Sequence, residues 1–158
     1  MHKKYHLYSS MPILGNHKAY AEIDSYALKN NYRIMLSEIQ RSSKNTEAIC
    51  VLKADAYGHG AKNCCRALLD EGCRRFAVSS IEEAIDIRSV CNEMKIDADI
   101  LILGYTLPTQ AALLADHNIT TALLDAEYAN ELAKDGMGYR DILMKYYTDV
   151  EIKKMLFR

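Results

Sequence analysis

The residues best suited to chemistry lie in one run, Val51-Leu52-Lys53-Ala54-Asp55-Ala56-Tyr57-Gly58-His59-Gly60. Upstream, 46–52 is apolar enough for a buried strand; downstream, Ala61, Cys64, Cys65 and Leu68 fall at helical spacing. Lys53 is therefore expected where a buried strand ends, with two glycines loosening the loop into a helix. An ammonium is costly to bury, so such a place favours the neutral amine, the form that condenses with an aldehyde or ketone. A lysine ending a strand is also a common snorkelling surface residue, and residue types alone leave both readings open. The Tyr57 hydroxyl can meet a phosphate, or its ring can pack on the following helix. His59, set between glycines, can carry protons or brace the loop. Asp55 suits a turn held through its backbone.

The elements that must position this run repeat along the chain. Residues 18–23 alternate as a short strand, and Asp24 or Ser25 can cap a helix with Leu28, Tyr32, Met35 and Ile39 on one face. The helix after the lysine loop ends at Gly72, a suitable C′ residue. Residues 75–78 form a short strand, and Ser80 to Glu83 is a capping box opening a helix with Ile81, Ala84, Ile85 and Arg88 on one face. Residues 99–104 are a strand apolar throughout, hence covered on both sides. Pro108 opens a short helix, 119–124 is a strand, and 126–134 is a last helix. Strand ends near Lys53, Val78, Leu103 and Leu124 are separated by 25, 25 and 21 residues, the rhythm of strand–helix units on a parallel sheet. Four such units suit a doubly wound sheet or part of a barrel, and composition does not separate the two.

At 158 residues and 49% apolar, the chain is one domain's worth with enough apolar side chain for a core. Its net charge of −1, with signs intermixed, argues against nucleic acid or an anionic membrane as partner. No apolar run approaches a membrane span, and the first residues lack a signal-peptide pattern. Residues 1–16 read as a loose leader, 17–134 as the strand–helix domain, and 135–158 as a divergent, helical tail. The cysteines at 50, 64, 65, 73 and 91 lack both metal-ligand and Cys-x-x-Cys spacing. Buried free thiols in a reducing compartment, the cytoplasm, are the plain reading, with no metal.

The string Lys-Ala-Asp-Ala-Tyr-Gly-His-Gly at 53–60 resembles the signature of the alanine racemases, pyridoxal-phosphate enzymes whose first domain is an α/β barrel. Ala21-Glu22-Ile23-Asp24 with Asn30 and Asn31 is similar to the family's opening, and Ile100-Leu101-Ile102-Leu103-Gly104 to a later strand. The resemblance covers about 18–134 and implies a partial TIM-type (β/α) barrel, the N-terminal half, with catalytic groups at the carboxyl ends of the strands. It implies that Lys53 holds pyridoxal 5′-phosphate as an internal aldimine, that Tyr57 helps bind its phosphate, and that Leu103 lines the cofactor site; a plain core role for Leu103 also stays open. The family's Lys-x-Asp-Thr-Gly-Met-x-Arg motif is only echoed at 134–140, where threonine is missing, so Arg140 is a weak counterpart of the arginine beside the cofactor's phenolic oxygen.

Eight barrel units need roughly 200 residues, about twice what the repeating part supplies. A racemase also needs two bases on opposite faces of a planar carbanion. Lys53 can be one. In the family the other is a tyrosine from the second domain of the partner subunit, and none of the 11 tyrosines here lies in a matching motif. The implied activity is interconversion of L- and D-alanine, with serine or a broader set of small amino acids open, and with weak or no activity for this chain alone. The alternatives are a non-catalytic pyridoxal-phosphate-binding protein and a remnant that acts with a partner chain. Open strand edges predict a homodimer or a complementing chain.

Overall fold

A computed structural model describes residues 4–6, 22–41 and 43–134. Four parallel strands form one sheet in the order β3 (Cys50–Val51), β4 (Arg75–Val78), β5 (Asp99–Ile102) and β6 (Thr120–Thr121). Cys50 pairs with Phe76, Val78 with Ile102, and Ile102 with Thr121, so the strand ends expected from the repeat lie side by side. The intervening helices are α3 (Ala61–Asp70), α4 (Ile81–Met94), α5 (Ala111–Asp116) and α6 (Ala126–Lys134). This is the α/β architecture of a partial barrel, each strand followed by a helix that returns the chain for the next parallel strand.

The core lies between the sheet and its helices. Phe76, Val78, Ile100 and Ile102 project from β4 and β5 onto Leu68, Leu69, Ile87, Val90 and Cys91, all essentially fully buried. Residues at the alternate positions take the other face. There, Ala77 in β4 is buried, but Val51 is 39% and Leu103 47% exposed. The apolar run at 99–104 was expected to be covered on both sides. Its burial instead alternates from Asp99 to Ile102, because among the described residues only the helix side of β5 is packed. The strand at 119–124 shortens to Thr120–Thr121, and nothing described pairs with the outer edges of β3 and β6.

Before the sheet, α1 (Ser25–Ile39) starts where the Asp24 carboxylate accepts from the Tyr26 and Ala27 amides. Lys29 to Asp70 (2.7 Å) and the two-point contact of Arg33 with Glu71 tie it to α3. Of the apolar face expected on α1, Tyr32 is buried but Met35 is 67% exposed. Met35 borders an open groove of about 620 Å³ between α1 and β3. Within the leader expected to be loose, β1 (Lys4–His6) pairs antiparallel with β2 (Glu22–Asp24).

From the middle of α4, buried Arg88 donates to the carbonyls of Ala98, His117 and Asn118, tying that helix to the starts of β5 and β6. On the opposite rim, the Tyr128 hydroxyl accepts from the Thr106 amide and donates to the Thr106 carbonyl, while Thr106 bonds Thr121. Buried polar groups are thus satisfied where the β5 loop meets α6.

Candidate functional site at the lysine turn

Lys53 begins a left-handed helical turn, α2 (Lys53–Gly58). Ala54, Asp55, Ala56 and Tyr57 have φ between 51° and 56°, and Gly58 and Gly60 are also positive. Left-handed geometry costs about 1–2 kcal/mol for each non-glycine residue, because Cβ crowds the following carbonyl oxygen. Four in succession persist only where the surroundings over-determine them. The restraints are visible. The Ala56 amide donates to the Leu52 carbonyl (2.9 Å), the Gly60 amide to the Asp55 carbonyl (2.9 Å), and the Ala56 side chain is buried. The Asp55 carboxylate accepts from the Ala61 amide at 2.7 Å, closing the turn onto the start of α3.

A further anchor comes from outside the turn. Glu83, in the first turn of α4, accepts the Ala54 amide on Oε1 (2.8 Å) and the Ser79 amide (2.8 Å) and hydroxyl (2.9 Å) on Oε2. The capping box expected at Ser80 forms within a wider set of contacts. Ser80 Oγ accepts from the Glu83 amide, while the carboxylate spans the ends of two strands. Desolvation pushes the Glu83 carboxyl up, but hydrogen bonds from Ser79 and Ala54 outweigh it and hold the group below the usual carboxylate range.

Lys53 is half-buried rather than enclosed. Tyr57 follows one turn later and is 62% exposed. His59 braces the turn, its Nδ1 2.9 Å from the Ala56 carbonyl. Leu103 lies just beyond β5, its amide bonded to Val78, and is not a core leucine. Gly104 follows so close to the end of β4 that a Cβ there would stand 2.9 Å from the Ser79 carbonyl oxygen. Arg140 lies outside the described residues. Burial raises the Cys64 thiol to about 11, helped by the Asp55 carboxylate, so the thiol nearest the turn is no nucleophile at neutral pH.

An amine, an exposed phenol and an uncovered apolar face thus share the carboxyl-terminal rim of a parallel sheet, where α/β folds place their ligands. This donor set fits an aromatic aldehyde carrying a phosphate. The family profile for the alanine racemase N-terminal domain matches residues 23–150, most of the chain and past the boundary expected at 134. The chain belongs to the alanine racemase family. Alanine racemase from Carboxydothermus hydrogenoformans is 41% identical over 110 residues, which are 70% of this chain and 28% of that protein. The crystal structure of alanine racemase from Bartonella henselae with covalently bound pyridoxal phosphate is 32% identical, with a TM-score of 0.60 over 71% of this chain and 29% of that one. A histidine racemase from Leuconostoc mesenteroides is 28% identical, with a TM-score of 0.59 over 70% of this chain and 28% of that one. This chain thus spans under a third of the length of the racemases it matches.

In the sequence Glu83 reads as a capping partner, and neither its contact with Ala54 nor the left-handed turn is signalled directly. For Glu83 a faint signal existed, a carboxylate one turn beyond a strand end. For the turn there was only the pair of glycines.

Proposed function

We propose that this chain is the N-terminal, lysine-bearing part of a pyridoxal-phosphate-dependent racemase that interconverts L- and D-alanine. The observation that carries this reading is Lys53 at the strand-end rim, its backbone fixed by a strained turn within a string similar to the alanine racemase signature. Pyridoxal phosphate, when bound, supplies the aldehyde that takes the lysine amine and a conjugated ring that stores the electron pair left at the substrate α-carbon. Lys53 would hold that group covalently, the Tyr57 hydroxyl would bind its phosphate, and Leu103 would wall its ring. Once its amine is free, Lys53 Nζ would take or return the proton at the α-carbon from one face. A base on the opposite face is needed for racemisation, and this reading assigns it to a second chain or domain. This chain alone is accordingly weakly active or inactive.

Alanine is the proposed substrate because a relative 41% identical over 110 residues is an alanine racemase. A histidine racemase on the same fold shows that the fold does not choose the side chain, so serine and other small amino acids belong in the assay. The boundaries proposed are a leader at 1–16, the partial barrel at 17–134 and a tail at 135–158. A homodimer or complementing chain is proposed from the open edges of β3 and β6 among the described residues. The same edges favour a second reading, a cofactor-binding remnant that acts only with a partner. Free cysteines, four of them buried, suit a reducing cytoplasm, and no described helix is long and apolar enough to cross a membrane.

The test is the absorbance of the purified chain with added pyridoxal phosphate, beside Lys53→Ala. A visible band that disappears in the variant supports the reading. A band that survives in it, or none in either, rejects Lys53 as the attachment point.

A further inference from the structure

We propose that Glu83 is a positioning residue for Lys53, a role that rests on the reading of Lys53 as the reactive amine. The peptide unit joining Lys53 to Ala54 sets where the lysine Cα sits and how its side chain leaves the sheet. That unit's N–H is held by Glu83 Oε1 at 2.8 Å, a contact 29 residues away in sequence. The second oxygen, Oε2, takes the amide and hydroxyl of Ser79 at the end of β4. One carboxylate therefore fixes the lysine turn relative to the neighbouring strand end, and it does so from the first turn of the helix that β4 feeds.

The division of labour between the two oxygens makes the idea separable from general stability. In Glu83→Gln one oxygen becomes an NH₂ group. Either orientation of the amide leaves one backbone N–H facing the NH₂: that of Ala54 when the carbonyl oxygen accepts both Ser79 donors, that of Ser79 when the Ser79 hydroxyl turns to accept from the NH₂; the first, which keeps both contacts at the end of β4, is the expected one. The variant should keep α4 and lose the hold on the lysine turn. A merely structural glutamate would show the opposite pattern, a lower midpoint with no selective effect at Ala54.

The experiment uses the full chain, wild type and Glu83→Gln, and three readouts. Amide hydrogen exchange without cofactor should be faster at Ala54 by at least about tenfold, with Ser79 changed by no more than about threefold. Reductive methylation with formaldehyde should change at Lys53 by about threefold or more relative to Lys62, which sits on α3 outside the turn. Thermal midpoints should stay within a few degrees. Unchanged Ala54 exchange overturns the proposal, and so does faster exchange with unchanged Lys53 reactivity. If Glu83→Gln does not fold, Glu83→Asp, whose shorter side chain cannot reach Ala54 and Ser79 together, takes its place beside Ser79→Ala: only the Glu83 change should alter Lys53 reactivity, and unchanged reactivity in Glu83→Asp overturns the proposal. None of these readouts needs pyridoxal phosphate. A wild-type chain that fails to take the cofactor would thus refute the reading of Lys53 while leaving the role of Glu83 decided on its own data.

Discussion

Replacing Ala54 by glycine isolates the strain stored in the lysine turn. Ala54 is exposed, with φ 51° and ψ 50°, so its methyl group contributes crowding and little packing. Relief of that crowding is worth about 1–2 kcal/mol. Against it stands the larger unfolded-state entropy of glycine, about 0.4–1 kcal/mol. The net change is about 0–1.5 kcal/mol in favour of the folded chain. The control is Ala27→Gly, at an exposed position in the right-handed helix α1, where the same replacement costs about 1 kcal/mol. The two variants should therefore differ by about 1–2.5 kcal/mol. At roughly 4 °C per kcal/mol for a domain of this size, their thermal midpoints should separate by several degrees, Ala54→Gly being the higher. Urea unfolding followed by circular dichroism should give the same order, with unchanged m values. Equal losses at both sites would refute the claim that the turn stores strain. Because glycine also frees the backbone beside Lys53, the more stable variant should take up pyridoxal phosphate more weakly, a trade of stability against preorganisation.

Two further perturbations probe the rim and the core. Gly104→Ala should destabilise the fold by about 1–3 kcal/mol, since the new methyl would press on the Ser79 carbonyl and the strand ends must part; a denaturant titration reads this as a lower midpoint. Tyr32 is pushed up to about 12, chiefly by burial and then by the Cys73 thiol beside it, so the folded state favours its neutral form. Its contribution is fully present below the unfolded value near 10 and is lost as pH rises towards 12, at about 1.4 kcal/mol per pH unit; Tyr32→Phe should flatten that part of the stability–pH curve.

Much of this arrangement is legible in the residues themselves. Asp24 and Ser80 announce helix starts because their short side chains match free amides nearby in sequence. The spacing of 75–78 and 99–102 yields parallel strands because each apolar run is followed by a helix long enough to return the chain. The left-handed turn is different. Alanine and tyrosine have no preference for positive φ, so restraints from Leu52, Gly60, Ala61 and Glu83 hold Ala54 to Tyr57 there. Glu83 reads locally as a capping partner, and its contact with Ala54 exists only once β3 and β4 lie side by side. The exposure of Leu103 and Met35 was equally hidden, since an apolar residue in a regular pattern says which face it takes and not whether anything covers that face.

The central claim is that Lys53 is the amine that takes the cofactor. Its most direct test is to incubate the chain with pyridoxal phosphate, reduce with borohydride, digest, and locate the added mass by peptide sequencing in the mass spectrometer. The account predicts a single dominant pyridoxyl adduct on Lys53 that forms at substoichiometric cofactor and is absent from the Lys53 position in Lys53→Ala. Labelling spread evenly over the exposed lysines, with Lys53 no more modified than Lys62, would contradict it.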